Sequence, residues 1–208
     1  MRIIFLGPQG AGKGTIASLV SAKLKIPHIS VGDMFRDAIE ARTLLGKEAK
    51  KHIDKGKLVP DSITNELMRE RIAQKDCKKG FILDGYPRNI NQAQSLDSFA
   101  IPTHVILLDI PEQVSIERLA GRRQCSKCKH IFHIKTLPPK KEGICDACGG
   151  QLYVRNDDKP AVIKQRLALY RTETEPIIYY YQKQKKLHHI DATPTVEFIL
   201  KEALRVLR

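Results

Sequence analysis

A glycine-rich loop directly after an apolar run constrains this chain more than any other feature of its sequence. Ile3–Leu6 is entirely apolar and leads into Gly7–Thr15, which reads GPQGAGKGT. Loop glycines let the backbone approach a polyphosphate with its N–H groups turned inward, and the positive end of the following helix faces the same charge. Lys13 adds a cation that can follow a phosphoryl group in transit. The loop therefore predicts a nucleoside triphosphate site at a strand-to-helix turn.

One position of the loop departs from the general phosphate-binding pattern G-x-x-x-x-G-K-[ST]. Gly14 stands where a magnesium-binding hydroxyl usually follows the lysine, and the hydroxyl comes one residue later at Thr15. The alternative is a glycine-rich turn in an ordinary β-α unit, which the preceding strand and the helical pattern that follows disfavour. The apolar residues of that helical pattern are Ile16, Leu19, Val20 and Leu24.

The composition suits one domain with small inserted modules. The 208 residues are 42% hydrophobic, which is enough for a single core. Because no apolar run approaches a membrane span and the N-terminus runs straight into a strand, we expect a soluble, cytoplasmic protein. Lys and Arg total 36 against 23 Asp and Glu, which suits a phosphate-rich partner, either nucleotide or nucleic acid. Aromatic residues make up only 6%, so no base-stacking surface is visible and charge alone does not favour nucleic acid.

Short apolar runs that alternate with helical patterns predict an α/β fold with a parallel P-loop sheet flanked by helices. The predicted strands are Arg2–Leu6, Phe81–Asp84, His104–Ile110 and Leu187–Ile190. Further helical patterns cover Asp33–Arg42, Glu48–Lys55, Ser62–Gln74, Gln92–Ser98, Glu112–Ala120, Ala161–Lys183 and Val196–Val206. Two segments interrupt the alternation and are expected to be appendages on the core. Ser30–Val59 is helical, whereas the prolines and glycines of Arg123–Asp158 are typical of short hairpins.

Four of the five cysteines have the spacing of a structural zinc site, C-x2-C, sixteen residues, C-x2-C. They are Cys125, Cys128, Cys145 and Cys148. Two such turns supply four thiolates that complete a tetrahedron and leave no position open for substrate. A pair of disulfides is the competing interpretation, which the lack of any sign of export disfavours. His130 and His133 lie nearby without being needed as ligands, and Cys77 is expected to be a small side chain packed in a helix.

An acid ends the predicted strand Phe81–Asp84, as magnesium binding in P-loop proteins requires. The next residue is Gly85, where NTP hydrolases often have a Glu that activates water, and Arg88 follows shortly after. Further arginines lie in or at the edges of the two appendages, namely Arg36, Arg118, Arg122, Arg123, Arg155 and Arg166. The alternative interpretation of each arginine, taken singly, is a solvated charge on the protein surface. Their shared location favours an arginine clamp of the kind that stabilises phosphoryl transfer.

Motifs across nearly the whole chain resemble the adenylate kinase family in its long form with a zinc-bearing lid. They are Gly7–Thr15, Asp33–Arg36, Gly56–Val59, Asp84–Arg88, Gly121–Arg123, Arg155–Asp158 and Arg166-Leu167. The resemblance implies a core P-loop domain of residues 1–29, 60–120 and 160–208. It also implies a helical insertion that binds a nucleoside monophosphate, residues 30–59, and a small β-rich zinc-binding lid, residues 121–159. The implied activity is reversible, magnesium-dependent phosphoryl transfer from ATP to AMP, giving two ADP.

The same resemblance implies roles for individual residues. ATP would be held by Gly10, Ala11, Gly12, Lys13, Gly14, Thr15, Arg118, Arg122, Ile131, Phe132 and Pro194. AMP would be held by Arg36, Lys57, Leu58, Val59, Gly85, Tyr86, Pro87, Arg88, Gln92, Arg155 and Arg166. The catalytic set would be Lys13, Asp84, Arg88, Arg122, Arg155 and Arg166, with Asp84 ordering the water shell of magnesium.

The acceptor depends on two further positions. The Gln92 amide can donate to and accept from the edge of adenine. Val31 stands where many members of the family have Thr beside the AMP base, so a CMP or UMP kinase of the same family stays open as an alternative. The alternative from another class is a nucleic-acid-dependent P-loop ATPase with a zinc ribbon, which the missing catalytic Glu disfavours. We expect ATP and AMP as partners, no nucleic acid, no membrane and a monomer.

Overall fold

A five-stranded parallel sheet forms the centre of the protein. The structure is a computed structural model that describes residues 1–208. The sheet consists of β1 (Arg2–Leu6), β2 (His28–Ser30), β3 (Phe81–Asp84), β4 (His104–Asp109) and β8 (Leu187–Asp191). Its strand order is β2-β3-β1-β4-β8, and every neighbouring pair is parallel. The predicted α/β class is confirmed.

Helices cover both faces of this sheet. They are α1 (Lys13–Leu24), α2 (Val31–Glu40), α3 (Leu44–Ile53), α4 (Asp61–Ile72), α5 (Ile90–Phe99), α6 (Glu112–Ala120), α7 (Pro160–Leu169), α8 (Glu175–Lys183) and α9 (Val196–Val206). Successive residues of β1 point to opposite faces, so Ile4 and Leu6 pack in one apolar cluster and Ile3 and Phe5 in the other. The two-sided core explains why the strands are continuous apolar runs. None of the helices is long and apolar enough to cross a membrane.

The segment Ala161–Lys183, predicted to be helical, is helical throughout, but its α-helical hydrogen bonding is interrupted once. A π-helical stretch, Tyr170–Thr174, separates α7 from α8. Pro176 lies in the first turn of α8 and has no N–H to donate to the preceding turn, which favours a local change of helical register there. Cys77, expected in a helix, is buried in a short 3-10 helix, Lys75–Lys79.

Two other local expectations differ from the structure. Leu19 is 38% exposed, because the buried face of α1 is formed by Ile16, Ala17 and Val20 instead. The strand β2 was not predicted, since three residues are too few for a period-two pattern to stand out. Ser30 ends β2 and also caps α2, where its side chain accepts from the N–H of Asp33.

A second, three-stranded antiparallel sheet lies in residues 121–159, as the hairpin pattern predicts. It consists of β5 (Arg122–Cys125), β6 (Ile131–His133) and β7 (Leu152–Tyr153), with β5 in the middle. Lys129, in the turn between β5 and β6, forms ion pairs with two carboxylates of α2, at 3.0 Å to Glu40 and 3.5 Å to Asp37. This segment therefore contacts the helical segment 30–59. The division of the chain into core, insertion and lid stays a prediction.

Candidate active site

The glycine-rich loop connects β1 to α1 at the carboxyl edge of the sheet. Gly10 has a φ of 87°, in the left-handed region that favours glycine, and a Cβ there would lie 2.9 Å from the Ser115 carbonyl oxygen. A Cβ at Gly14 would lie 3.2 Å from Oδ2 of Asp84. A side chain at position 14 would therefore crowd the Asp84 carboxylate, which favours a glycine where the general loop pattern has a hydroxyl.

Lys13 opens α1 with its ammonium group turned back over the loop. Its Nζ donates to the carbonyl oxygens of Gly7 and Pro8, both at 2.8 Å. Burial lowers the pKa of Lys13 to about 8; the charge of Asp84 opposes this shift, while those of Arg88, Arg166 and Arg122 add to it. Lys13 therefore lies within electrostatic reach of three arginines that come from three other parts of the chain.

Asp84 ends β3, where its strand neighbours are Phe5 of β1 and Ser30 of β2. Burial acts to raise the pKa of Asp84, but the neighbouring His28 imidazole and the charge of Lys13 outweigh it and hold the pKa below its usual range. The imidazole Nε2 of His28 lies 3.5 Å from Oδ2 of Asp84. An ionised carboxylate beside the loop and its Thr15 hydroxyl fits magnesium, which proteins hold through one or two carboxylates and the substrate phosphates. Sequence reasoning missed His28, because it lies on the unpredicted strand.

A cleft beside the loop brings together most of the residues expected to bind AMP. Those that line it are Arg36, Lys57, Leu58, Val59, Gly85, Arg88, Gln92, Arg155 and Arg166. Tyr86 does not, because its side chain is only 1% exposed and its hydroxyl donates to Asn65 at 2.8 Å. Pro87 is also absent from the lining. Val31, expected beside the AMP base, also lines the cleft. The lining residues that were not predicted are Gly32, Phe35, Ile53, Gly56, Thr64 and Asp157.

Two adjacent aspartates organise the arginines of the cleft. Asp157 accepts two hydrogen bonds from Arg155, at 2.8 and 2.5 Å, and pairs with Arg166 at 3.0 Å. Asp158 accepts two from Arg122, at 2.8 and 2.5 Å, and lies 3.3 Å from Arg166. Burial acts to raise the pKa of Asp157, yet the charges of Arg166 and Arg155 hold it well below its usual range. The two carboxylates thus hold Arg155, Arg122 and Arg166 in place.

Comparison with known proteins assigns the chain to a protein family. The family model described as adenylate kinase matches residues 5–186. The chain belongs to the adenylate kinase family. An adenylate kinase of Treponema denticola is 52% identical over 96% of both chains. Those of Thermosipho africanus and Streptomyces coelicolor are 44% and 46% identical over all of this chain, and over 100% and 99% of their own lengths.

The four cysteines of this adenylate kinase family member converge as their spacing predicts. The Sγ atoms of Cys125 and Cys148 are 3.5 Å apart, as are those of Cys128 and Cys145, and all four lie within 4.8 Å of one another. Tetrahedral zinc with Zn–S bonds of about 2.3 Å requires S–S separations of about 3.8 Å, so the donor set fits zinc. All four are free thiols, so the disulfide alternative gains no support.

The residues expected on the ATP side outside the loop lie in α6, in β5 and β6, and between β8 and α9. Arg118 donates to the carbonyl oxygens of Ala192 and Thr193, at 2.9 and 3.2 Å, which places it beside Pro194. In β6, Phe132 is 4% exposed and packs with the buried cysteines, whereas Ile131 is partly exposed. The ATP roles of these residues stay predictions.

Proposed function

We propose that the protein is an adenylate kinase that transfers the γ-phosphoryl group of ATP reversibly to AMP, giving two ADP. One observation carries this proposal: Lys13 of the triphosphate loop lies within electrostatic reach of Arg88 and Arg166, and both arginines line the pocket that also contains Arg36 and Gln92. A cation cluster between two nucleotide positions serves transfer between them. Family membership points to the same reaction, and it lends no support to the nucleic-acid-dependent ATPase alternative.

The charges of the cleft fit two polyphosphate anions. Its lining includes five basic side chains, from Arg36, Lys57, Arg88, Arg155 and Arg166, and one acid, Asp157. The attacking oxygen of AMP is already anionic, so no protein base is required. The basic groups offset the repulsion between the two nucleotides and the charge that spreads over the transferred group. Magnesium, held by Asp84 and the phosphates of ATP, would supply further neutralisation of that charge.

Segments on opposite sides of the cleft are positioned to exclude water. Arg155 and Asp157, from the segment 121–159, line the same pocket as Arg36 and Lys57, from the segment 30–59. Lys129 ties the two segments together through Glu40 and Asp37. Excluding water prevents hydrolysis of ATP from competing with transfer to AMP.

A coupled assay with magnesium and ATP across AMP, CMP, UMP and GMP tests the proposal. We expect turnover with AMP, and no stimulation of ATP consumption by DNA or RNA. Turnover with CMP or UMP but not AMP would support the acceptor alternative raised by Val31, and turnover with water alone would refute transfer.

Arg88→Ala sharpens the test, because Arg88 lines the pocket and lies within the electrostatic reach of Lys13. We expect turnover to fall by at least about a hundredfold with the fold intact. The matched control is Arg205→Ala on α9, whose side chain is 73% exposed and pairs only with Glu202. Near-normal turnover in the Arg88 variant contradicts the assignment.

A further inference from the structure

The side-chain amide of Gln92 is held at both ends. Gln92 is 1% exposed and lines the cleft at the start of α5. Its Oε1 accepts from the backbone N–H of Arg88 at 2.8 Å, and its Nε2 donates to Oδ1 of Asp61 at 2.7 Å. Each partner of the amide belongs to a different segment of the chain.

These two partners allow only one orientation of the amide. An ionised carboxylate only accepts hydrogen bonds, and a backbone N–H only donates. Asp61 is itself held by Asn89, whose Nδ2 lies 3.0 and 3.1 Å from its two oxygens. Turning the amide of Gln92 by 180° would set its oxygen against the Asp61 carboxylate and its NH2 group against the Arg88 N–H. Both contacts would then be lost, which is costly for a buried group.

The held amide keeps one hydrogen and one lone pair for a ligand. An amide nitrogen has two hydrogens and an amide oxygen accepts two bonds, of which the protein uses one each. Gln92 lines the cleft and its oxygen and nitrogen cannot exchange places, so it offers a free acceptor and a free donor to a ligand in one order. A phosphate bound by the arginines of the same cleft would present its attached base in one orientation.

The order of hydrogen-bond donor and acceptor along the base edge distinguishes 6-amino from 6-oxo purines. A 6-amino purine presents an amino donor beside a ring-nitrogen acceptor, whereas a 6-oxo purine presents an oxygen acceptor beside a ring N–H donor. An amide that turned freely would match either edge. We propose that Asp61 is a positioning residue that fixes the Gln92 amide and thereby makes the cleft select 6-amino over 6-oxo purine monophosphates. This inference rests on the proposed function, and it gives a physical basis for acceptor choice that does not depend on position 31.

The test compares AMP with inosine monophosphate, which differs from it at the 6-position edge. For the wild-type protein we expect kcat/KM with AMP to exceed that with inosine monophosphate by about ten-thousandfold, as in sites that hydrogen-bond one edge of a substrate. Asp61→Asn replaces an obligatory acceptor with an amide that donates or accepts. We expect this variant to lower the ratio at least about tenfold, the effect of one neutral hydrogen bond, with KM for ATP unchanged.

Two further variants separate positioning from structure. Glu66→Gln removes one charge from an exposed position of the same helix α4 and should leave the ratio unchanged. Asn89→Ser keeps a side-chain cap for α5 while releasing Asp61, and should lower the ratio in the same direction as Asp61→Asn. An unchanged ratio in both the Asp61 and Asn89 variants, with normal wild-type turnover of AMP, overturns the positioning role. No wild-type turnover of AMP overturns the proposed function itself.

Discussion

Replacing Asp157 with Asn probes the ion-pair network that organises the cleft. Asp157 is 8% exposed and its main partner Arg155 is 9% exposed. The substitution preserves shape and removes one negative charge. Arg155 and Arg166 then remain close together, and the nearest remaining carboxylate that pairs with Arg166 is Asp158, at 3.3 Å. We therefore expect the variant to fold with a reduced free energy of unfolding.

The size of the effect follows from the burial of the pairs. Removing one partner of a buried ion pair costs about 3–5 kcal/mol. Asp158 keeps its contact with Arg166 and the new amide oxygen still accepts a hydrogen bond, so we expect the loss near pH 7 to be about 2–3 kcal/mol. For a chain of this length that lowers Tm by roughly 4–12 °C. The control Asp54→Asn breaks an exposed pair with Lys50 and should cost less than about 1 kcal/mol.

The pH dependence provides a second check on the same reasoning. The pKa of Asp157 lies below its ordinary value of 3.8, because the charges of Arg166 and Arg155 outweigh the effect of burial. A carboxylate whose pKa is lowered by folding stabilises the native state above its unfolded-state pKa, and this contribution is lost as the pH falls below it. The wild-type protein should therefore lose more stability than the variant between about pH 5 and pH 2.

Denaturant unfolding, followed by circular dichroism at several pH values, measures both quantities. The reasoning predicts a difference in unfolding free energy that is largest near neutral pH and shrinks in acid. A difference that stays constant from neutral to acid pH, or one no larger than that of the Asp54 control, refutes it.

Two other predictions concern Lys13 and the cysteine site. Burial lowers the pKa of Lys13 to about 8, so kcat/KM for ATP should fall as the pH rises through about 8 and the ammonium loses its proton. Lys13→Arg should abolish this alkaline limb, because guanidinium does not titrate there, and a flat wild-type profile would contradict the role of the cation. The four-cysteine donor set fits zinc, so chelation of zinc from the zinc-loaded protein should lower Tm more than it lowers activity at moderate temperature, since four thiolates leave no open position for substrate. Activity strictly proportional to bound zinc in protein shown to be folded would count against a structural role.

Features that depend on residues close together in the sequence were predictable from the sequence alone. The strands β1, β3, β4 and β8 are apolar runs, and all four appear within a residue or two of their expected bounds. The loop at Gly7–Thr15 was recognised as a triphosphate site from the spacing of its glycines and Lys13 alone. The cysteine pairs likewise needed only two tight turns to bring four thiolates together. Short β2 and the π-helical stretch at Tyr170–Thr174 were missed, because local pattern is weak over three to five residues.

The candidate site could be predicted in outline but not in its pairings. Arginines at the edges of two appendages indicated a phosphate cleft, and most of those expected to bind AMP line it. Their partners were not predictable, because Asp157 acts on Arg166 only after α7 folds back against the cleft. Tyr86 illustrates the opposite case: it belongs to the same motif as Arg88, yet its side chain points into the core.

The sequence by itself determined the phosphate loop, the four-thiolate site and the α/β class, since each depends on residue types at short spacings. Only the tertiary structure decided how closely position 14 approaches Asp84, which acids hold the arginines, and how the Gln92 amide is oriented. Those features join atoms of residues as far apart in the chain as Gly14 and Asp84. Hydrogen bonds and ion pairs depend on distances of tenths of an ångström, which are set by how whole helices and strands pack.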